Sequence, residues 1–194
     1  MELIFATNNE NKVKELNAVL DDKDIIVKSL AEAGITIDIP EPYETLEENA
    51  RTKSETIYQL VQKNCFSEDT GLEIEALGGA PGVKSARFAD GEPQYKDYIE
   101  KVLVLMGDTI HRKARFRTVI SLILNGKETQ FEGICNGSIA IKRSGNQGFG
   151  YDAIFIPDGR NQSFADMDLS EKKKISHRTK AVEQLVLFLK NINY

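Results

Sequence analysis

The sequence predicts an α/β protein with a long, twisted mixed sheet and helices packed against it. Three observations predict this fold class. The chain opens with a β-α-β pattern, two long strand candidates follow each other in its second half, and helical patterns with one apolar face separate the strands. Alternation of this kind is typical of a sheet covered by helices.

The first three elements form the β-α-β opening. Residues 2–6, ELIFA, are apolar and short enough for a buried strand. Residues 10–22 repeat apolar side chains at helical spacing, and residues 24–30 predict a second strand.

A second helix is predicted over residues 45–64. Thr45 followed three residues later by Glu48 is a capping-box pattern, which marks the start of a helix. Two strand-like segments follow at 65–68 and 72–77. The carboxylates between them are therefore expected at a strand end.

The middle of the chain predicts a helix and a long hairpin. Residues 94–106 carry apolar side chains at helical spacing. Residues 114–124 and 128–142 are the two long strand candidates. Asn125-Gly126 between them is a strong signal for a two-residue hairpin turn.

The last third predicts a short strand and a long helix. Residues 153–156, AIFI, form a buried strand that Pro157 ends. Residues 170–191 form the final helix, with Ser170 as its N-cap.

Length and charge bound the function. The 194 residues fit one domain or two closely packed lobes, and we expect a single domain over 1–194. Net charge is −5 and the pI is about 5.2, which argues against a general nucleic-acid-coating protein because such proteins carry a basic face. A small polyanion remains a possible ligand if cations gather in one cleft.

The two cysteines and the N-terminal residues indicate the cellular compartment of the protein. Cys65 and Cys135 are far apart in apolar or strand-like contexts, so buried, reduced thiols are expected. The opening MELIFATNNE lacks the features of a signal peptide, and no apolar stretch has the length of a membrane helix. We therefore expect a cytoplasmic protein with no membrane partner.

A polar loop, TNNENK at 7–12, joins the first strand to the first helix. Helix N-termini offer free N–H groups and a partial positive charge, which suits an anion. Lys12 in the first turn is unfavourable against the helix dipole, and a bound polyanion would remove that penalty. An ordinary asparagine-rich turn is the alternative interpretation.

Two later segments can recognise a base. In GFGYD, at 148–152, glycines flank Phe149, which can stack on a ring, and Asp152 can accept from a ring N–H. In SEKKKISHRTKA, His177 and Arg178 are adjacent donors suited to a carbonyl or a phosphate. A turn with a core phenylalanine and a structural histidine are the alternatives.

Glu68 and Asp69 are the candidate metal ligands. A few carboxylate oxygens without histidine or cysteine partners suit Mg²⁺, which keeps waters and substrate phosphates among its ligands. Surface solvation is the alternative. Four more acids occur in PEPYETLEENA, where most are expected to be helix-start charges.

Together these segments resemble the Ham1-like inosine/xanthosine triphosphate pyrophosphatases. The matching blocks are FATNNENKVKEL at the start, ENARTKS at 48–54, SEDTGLEIEALGGAPGVKSARF at 67–88, GFGYDAIF at 148–155 and EKKKISHRTKA at 171–181. They follow the family's order over nearly the whole chain. The resemblance implies two lobes with a central nucleotide cleft.

The resemblance also implies an activity. Such proteins hydrolyse non-canonical purine triphosphates (ITP, dITP and XTP) to the monophosphate and pyrophosphate with Mg²⁺, and they are homodimers. A Maf-like pyrophosphatase of other base preference is a rival, although it would lack the GFGYD and SHR blocks. A non-catalytic nucleotide sensor and a nucleic-acid-binding module are the other rivals.

The family pattern assigns roles to residues. Asp69 is the catalytic acid/base and a metal ligand, with Glu68 beside it as a partner of the metal or its water. Glu41 is the second metal ligand; Glu44 is the alternative because PYETLEENA lacks the glycine and phenylalanine that the family often has there. The residues assigned to the substrate are Thr7, Asn8, Asn9, Glu10, Asn11, Lys12, Lys53, Thr70, Phe149, Gly150, Tyr151, Asp152, Lys172, His177 and Arg178.

Overall fold

The computed structural model describes residues 1–20 and 24–192, and it confirms the α/β class. The strands are β1 (Glu2–Phe5), β2 (Ile26–Ser29), β3 (Cys65–Ile74), β4 (Pro81–Gly82), β5 (Lys113–Leu124), β6 (Lys127–Ile139) and β7 (Phe155–Pro157). The α-helices are α1 (Glu10–Val19), α2 (Leu46–Val61), α3 (Tyr98–Met106), α4 (Leu169–Lys173) and α5 (His177–Ile192). Short 3₁₀ turns cover Glu75–Leu77, Ser85–Arg87 and Phe164–Asp166.

The sheet is mixed, as predicted. Its strand order is β2-β1-β3-β5-β6-β7, with β4 paired to β3. β1 is parallel to both β2 and β3, whereas β4 and β7 are antiparallel to their neighbours β3 and β6. The parallel pairing of β1 with β2 confirms the β-α-β opening, since α1 provides the crossover.

Internal contacts divide the described residues into two compact units. The first unit takes its residues from Met1–Asp69, Thr118–Gly133 and Arg178–Tyr194. The second unit comprises Thr70–Arg117 and Ile134–His177. A single functional domain over 1–194 stays a prediction.

Each unit has its own apolar core. In the first unit, Phe5 on β1 stacks on Phe66 of β3 with ring centroids 4.6 Å apart. Apolar side chains from α1 and α5 complete this core, and a smaller cluster includes Ile57 of α2. In the second unit, Phe116 and Phe155 pack with centroids 4.7 Å apart. These cores fix the strands that carry the polar residues described below.

Strand β3 corrects one prediction. Residues 65–68 and 72–77 were expected to be separate strands, but one strand runs through Cys65–Ile74 and a 3₁₀ turn follows. Gly71 does not stop the strand. A Cβ at this position would lie 2.7 Å from the carbonyl oxygen of Gly82, so glycine permits the close approach of β4. Glu68 and Asp69 therefore lie within a strand rather than at its end.

Two helix predictions were also wrong in part. The helix predicted over 94–106 begins at Tyr98, because the Asp97 side chain accepts from the Glu100 N–H and caps it there. The helix predicted over 170–191 is two helices, α4 and α5. Asp168, not Ser170, caps α4, through a capping box with Glu171.

Other predictions hold. Asn125 and Gly126 have positive φ values of 50° and 78°, as a two-residue hairpin turn requires. Both cysteines are buried, and neither forms a disulfide. Helix α1 ends at Val19, and residues 21–22 of its predicted extent lie outside the described residues.

Within the described ranges, no helix is both long and apolar enough to cross a bilayer.

Candidate active site

The first unit contains a buried cluster of acids and cations centred on β3. Glu68 is 2% exposed and Asp69 is 5% exposed. Successive side chains of a strand point to opposite faces, which explains why these neighbours have different partners. Burial of two adjacent carboxylates is expensive unless each is paired with a positive charge or a metal ion.

Asp69 is paired with Lys53 of α2. The Lys53 Nζ lies 3.1 Å from Asp69 Oδ1 and 2.5 Å from Glu41 Oε1. The other oxygen, Asp69 Oδ2, is a buried atom without a hydrogen-bond partner. A buried, unsatisfied carboxylate oxygen is rare and calls for an explanation such as a bound ion.

Burial and charge set the protonation of this pair. Burial raises the pKa of Asp69; the Lys53 ammonium acts in the opposite direction, while Glu41 adds to the increase, and the net shift is upward. Burial lowers the pKa of Lys53, but Asp69 and Glu41 outweigh it and the net shift is upward. Lys53 therefore stays positively charged at neutral pH.

Glu68 is held by Arg178 and Lys12. Arg178 donates from Nε and Nη2 to the Glu68 carboxylate at 2.8–3.0 Å, and Lys12 Nζ lies 3.3 Å from Glu68 Oε1. Arg178 also donates to Glu15 of α1. Burial raises the pKa of Glu68, but Arg178 and Lys12 outweigh it and hold the pKa at about 2. Glu68 is therefore ionised at neutral pH.

Several polar groups of the α1 entry loop, residues 7–12, form hydrogen bonds within the protein. The Asn9 side chain accepts from the N–H groups of Asn11 and Lys12 and so caps α1. Asn8 donates from Nδ2 to the Ile37 carbonyl at 2.9 Å. Thr7 accepts from the Asn9 N–H, and Glu10 and Asn11 are exposed. Contact of this loop with phosphate stays a prediction.

The second unit holds a different group, built around Asp152. Its Oδ2 accepts from the Phe149 N–H at 2.9 Å and from Lys172 of α4 at 2.5 Å. The Lys172 Nζ lies 5.2 Å from the ring centroids of both Phe149 and Phe164, within cation–π range. Gly148 has φ +71°, and a Cβ there would collide with the Asp152 carboxylate. The glycine thus allows the loop to close on the aspartate.

His177 belongs to the aromatic part of the second unit. Its ring stacks on Phe116 with centroids 4.6 Å apart and lies 6.4 Å from Phe164. Tyr151 is buried and donates its hydroxyl to the Ser85 carbonyl at 2.8 Å. Gly150 has a positive φ of 61°, and Thr70 is half-buried directly after Asp69 on β3.

The structure thus places many of the predicted residues in three groups, two in the first unit and one in the second. The first unit brings together Glu41, Lys53 and Asp69, and separately Lys12, Glu68 and Arg178. The second unit brings together Phe149, Asp152 and Lys172. Arg178 donates to the carboxylates of Glu68 and Glu15, and its reading of the base stays a prediction.

Sequence reasoning missed Glu15. It contacts Arg178 although 163 residues separate the two in the chain. A signal was present, since Lys12, Glu15, Leu16 and Val19 share one helical face by their spacing. A carboxylate within an otherwise apolar stripe indicates a buried cation opposite it.

Two carboxylates of the first unit have the donor chemistry that a magnesium ion requires. Among residues 1–20 and 24–192, no group of three or more histidine, cysteine or acidic side chains is arranged as a metal cage. Mg²⁺ usually takes only one or two protein carboxylates and completes its shell with water and phosphates. Asp69, with its unsatisfied oxygen, and Glu41 beside it fit that pattern. Glu41 reaches Lys53, whereas the side chain of Glu44 is exposed.

Curated relatives match almost the full chain. A dITP/XTP pyrophosphatase of Flavobacterium psychrophilum is 45% identical over 191 residues, covering 98% of this chain and 100% of the relative. A protein of the same name from Porphyromonas gingivalis is 48% identical over 190 residues, covering 97% of each.

Solved structures match the fold. The Ham1 protein of Staphylococcus aureus aligns with a TM-score of 0.86 at 36% identity, covering 98% of this chain and 99% of the other. The HAM1 protein of Coxiella burnetii aligns with a TM-score of 0.88 at 34% identity and the same coverage. The sequence model of the Ham1 family matches residues 3–188. This chain therefore belongs to the Ham1 family.

Proposed function

We propose that the protein hydrolyses non-canonical purine nucleoside triphosphates, namely ITP, dITP and XTP, to the monophosphate and pyrophosphate. The observation that carries the proposal is the buried Asp69–Lys53–Glu41 group, in which one Asp69 oxygen has no hydrogen-bond partner. The names of the relatives from Flavobacterium psychrophilum and Porphyromonas gingivalis support it.

The cations of the first unit suit a phosphate chain. Lys12 and Lys53 are held next to carboxylates, which keeps two positive charges in place before the substrate arrives. Fixed cations stabilise the charge that develops on a leaving pyrophosphate without reorganisation. Phosphoryl transfer depends mainly on such positioning and charge neutralisation.

Asp69 is the proposed general base. It takes a proton from the attacking water, whose oxygen forms a new bond to the α-phosphorus as the bond from that phosphorus to the bridging oxygen breaks and pyrophosphate leaves. Glu41 and Asp69 would hold Mg²⁺, which supplies Lewis-acid polarisation of the phosphate and a lower pKa for bound water.

The second unit supplies the proposed base recognition. The Phe149 ring stacks on the purine, a contact worth about 1–3 kcal/mol. His177 donates to the 6-oxo group of hypoxanthine or xanthine, and Asp152 accepts from the polar edge of the ring. Adenine presents an amino group at the same position, and a polar mismatch of this kind can discriminate by a factor of about 10⁴–10⁵.

The proposal extends to the state of the protein. The protein acts as a homodimer with Mg²⁺, as its family resemblance implies, and it acts in the cytoplasm, as the sequence analysis predicts. Light scattering coupled to size-exclusion chromatography tests the dimer, and omission of Mg²⁺ from the assay abolishes turnover.

A panel of nucleoside triphosphates tests the proposal. Each is incubated with the protein and Mg²⁺, and monophosphate and pyrophosphate are measured. We expect rapid pyrophosphate release from ITP, dITP and XTP and little from ATP. Turnover of other bases in preference to these would favour the Maf-like rival, and tight binding of ITP without any turnover would favour the sensor.

A further inference from the structure

The segment that carries Glu41 is stiffened by its sequence. Glu41 lies between Pro40 and Pro42, outside any helix or strand. Proline fixes its own φ angle and disfavours the helical region for the residue before it. Pro42 therefore restricts the backbone of Glu41, and Pro40 fixes a φ angle immediately before it. The direction in which such a stiff segment presents Glu41 depends on how its two ends are held.

Asn49 holds the C-terminal end of this segment through two hydrogen bonds to Tyr43, which we call the clasp. The Tyr43 N–H donates to Asn49 Oδ1 at 3.0 Å, and Asn49 Nδ2 donates to the Tyr43 carbonyl at 3.0 Å. One amide side chain thus satisfies both polar groups of one backbone residue. Asn49 is fully buried, whereas Tyr43 points a 44% exposed side chain outward. The clasp consequently depends on the Tyr43 backbone and not on its phenol ring.

Asn8 fastens the other end. Its Nδ2 donates to the carbonyl of Ile37, four residues before Glu41. The segment between Ile37 and Tyr43 is thus tied to the α1 entry loop at one end and to α2 at the other.

The clasp and the lysine share one face of α2. Asn49 and Lys53 are four residues apart, which places them one helical turn apart on the same side. Lys53 contacts both Glu41 and Asp69. A helix that holds the segment at Asn49 therefore also sets the distance from Glu41 to Lys53.

We propose that Asn49 is a positioning residue, whose side-chain amide holds the proline-flanked segment so that Glu41 meets Lys53 and Asp69. The effect of this positioning on catalysis rests on the proposed function. Groups that orient a metal ligand typically change metal affinity or activity by 10–100-fold when removed. We therefore expect Asn49 to affect the Mg²⁺ dependence of turnover.

Three variants test the clasp. Asn49→Ala removes both hydrogen bonds. Asn49→Asp keeps the volume and the acceptor but loses the donor, so it serves if the alanine variant fails to fold. Tyr43→Phe is the control, because it leaves the Tyr43 backbone unchanged. Hydrogen–deuterium exchange of the Tyr43 amide, followed by NMR, reports the clasp without any nucleotide or metal.

We expect this exchange to be slow in the wild type and in Tyr43→Phe, and faster by at least about tenfold in Asn49→Ala, with Asn49→Asp between. In the turnover assay, the Mg²⁺ concentration for half-maximal pyrophosphate release rises about tenfold in Asn49→Ala. Simple loss of folded protein would lower the maximal rate without moving that concentration.

Unchanged Tyr43 exchange in both Asn49 variants, or an unchanged Mg²⁺ midpoint in an active wild-type background, overturns the inference. Failure of the wild type to hydrolyse any triphosphate overturns the proposed function instead. In that case accelerated Tyr43 exchange still supports the positioning role, and unaccelerated exchange overturns it.

Discussion

The polar groups of the two units differ in composition and in how their charges are paired. In the first unit, Lys12, Lys53 and Arg178 meet buried carboxylates, and one carboxylate oxygen lacks a hydrogen-bond partner. In the second unit, the Asp152–Lys172 pair lies among aromatic rings. The first arrangement suits a metal and phosphates, and the second suits a flat ring with a polar edge.

From this difference we predict that catalysis and base recognition can be changed separately by substitution. A change in the first unit should affect either the stability of the protein or the rate of turnover, and the rate should change equally for every nucleotide. A change in the second unit should affect which base is preferred.

The largest effect is expected from Asp69→Asn. Loss of the general base and of a metal ligand should lower turnover of ITP by about 10³-fold or more, while nucleotide binding persists. Pyrophosphate release and equilibrium binding are measured in parallel. Asp108→Asn, an exposed position, is the control. Activity of Asp69→Asn within about tenfold of wild type contradicts the catalytic assignment.

The next effect concerns stability. Glu68→Gln leaves the buried Arg178 without one of its two carboxylates and should cost about 3–5 kcal/mol in the free energy of unfolding at neutral pH. Urea unfolding measures this change. The exposed Glu55→Gln on α2 is the control, with an expected change within about 0.5 kcal/mol.

The difference in unfolding free energy between wild type and Glu68→Gln should depend on pH. The pKa of Glu68 falls from an unfolded value of 4.5 to about 2 in the folded protein. A lowered pKa stabilises the folded state above the unfolded value, and this contribution is lost as the pH falls from 4.5 toward 2. The gap in stability between wild type and Glu68→Gln should therefore narrow on acidification. A gap that is constant with pH would show that Glu68 is not ionised in the folded state.

A smaller effect is expected in the second unit. Phe149→Ala should raise the KM for ITP by about 5- to 150-fold, which corresponds to the loss of about 1–3 kcal/mol of stacking, and should change kcat little. Phe149→Tyr retains a ring and should stay near wild type. Equal loss in both variants would indicate that the ring does not stack on the base.

The smallest expected effect is a difference between the two units in the rate at which their cysteine thiols are labelled. Cys65 lies in the first unit and Cys135 in the second, and both are buried. Burial raises the pKa of Cys65 to about 12, so labelling by a thiol reagent at neutral pH should be slow. In Glu68→Gln, labelling of Cys65 should accelerate more than that of Cys135. Equal acceleration would mean that the units open together.

Local patterns predicted much of the fold. The β-α-β opening and the Asn125-Gly126 turn depend on neighbouring residues, and both are confirmed. The split between α4 and α5 and the continuity of β3 through Gly71 were missed. Close approach of Gly82 to Gly71 is a contact between strands, and sequence periodicity does not encode it.

The same limit applies to the site. The family pattern named Glu41, Lys53 and Asp69, and the structure brings these three together. It did not indicate that Arg178 is enclosed by Glu68 and Glu15, since those partners are 110 and 163 residues away. Arg178→Ala would therefore lower stability as well as any base preference, and His177 is the better probe of recognition.

We propose that the two units carry separate parts of the function. The most direct measurement is the ratio of kcat/KM for ITP to that for ATP in the wild type, Asp69→Asn and His177→Ala. We predict that Asp69→Asn lowers both values with the ratio unchanged, while His177→Ala lowers the ratio toward one. A ratio that stays at the wild-type value in His177→Ala, or that collapses in Asp69→Asn, would contradict the account.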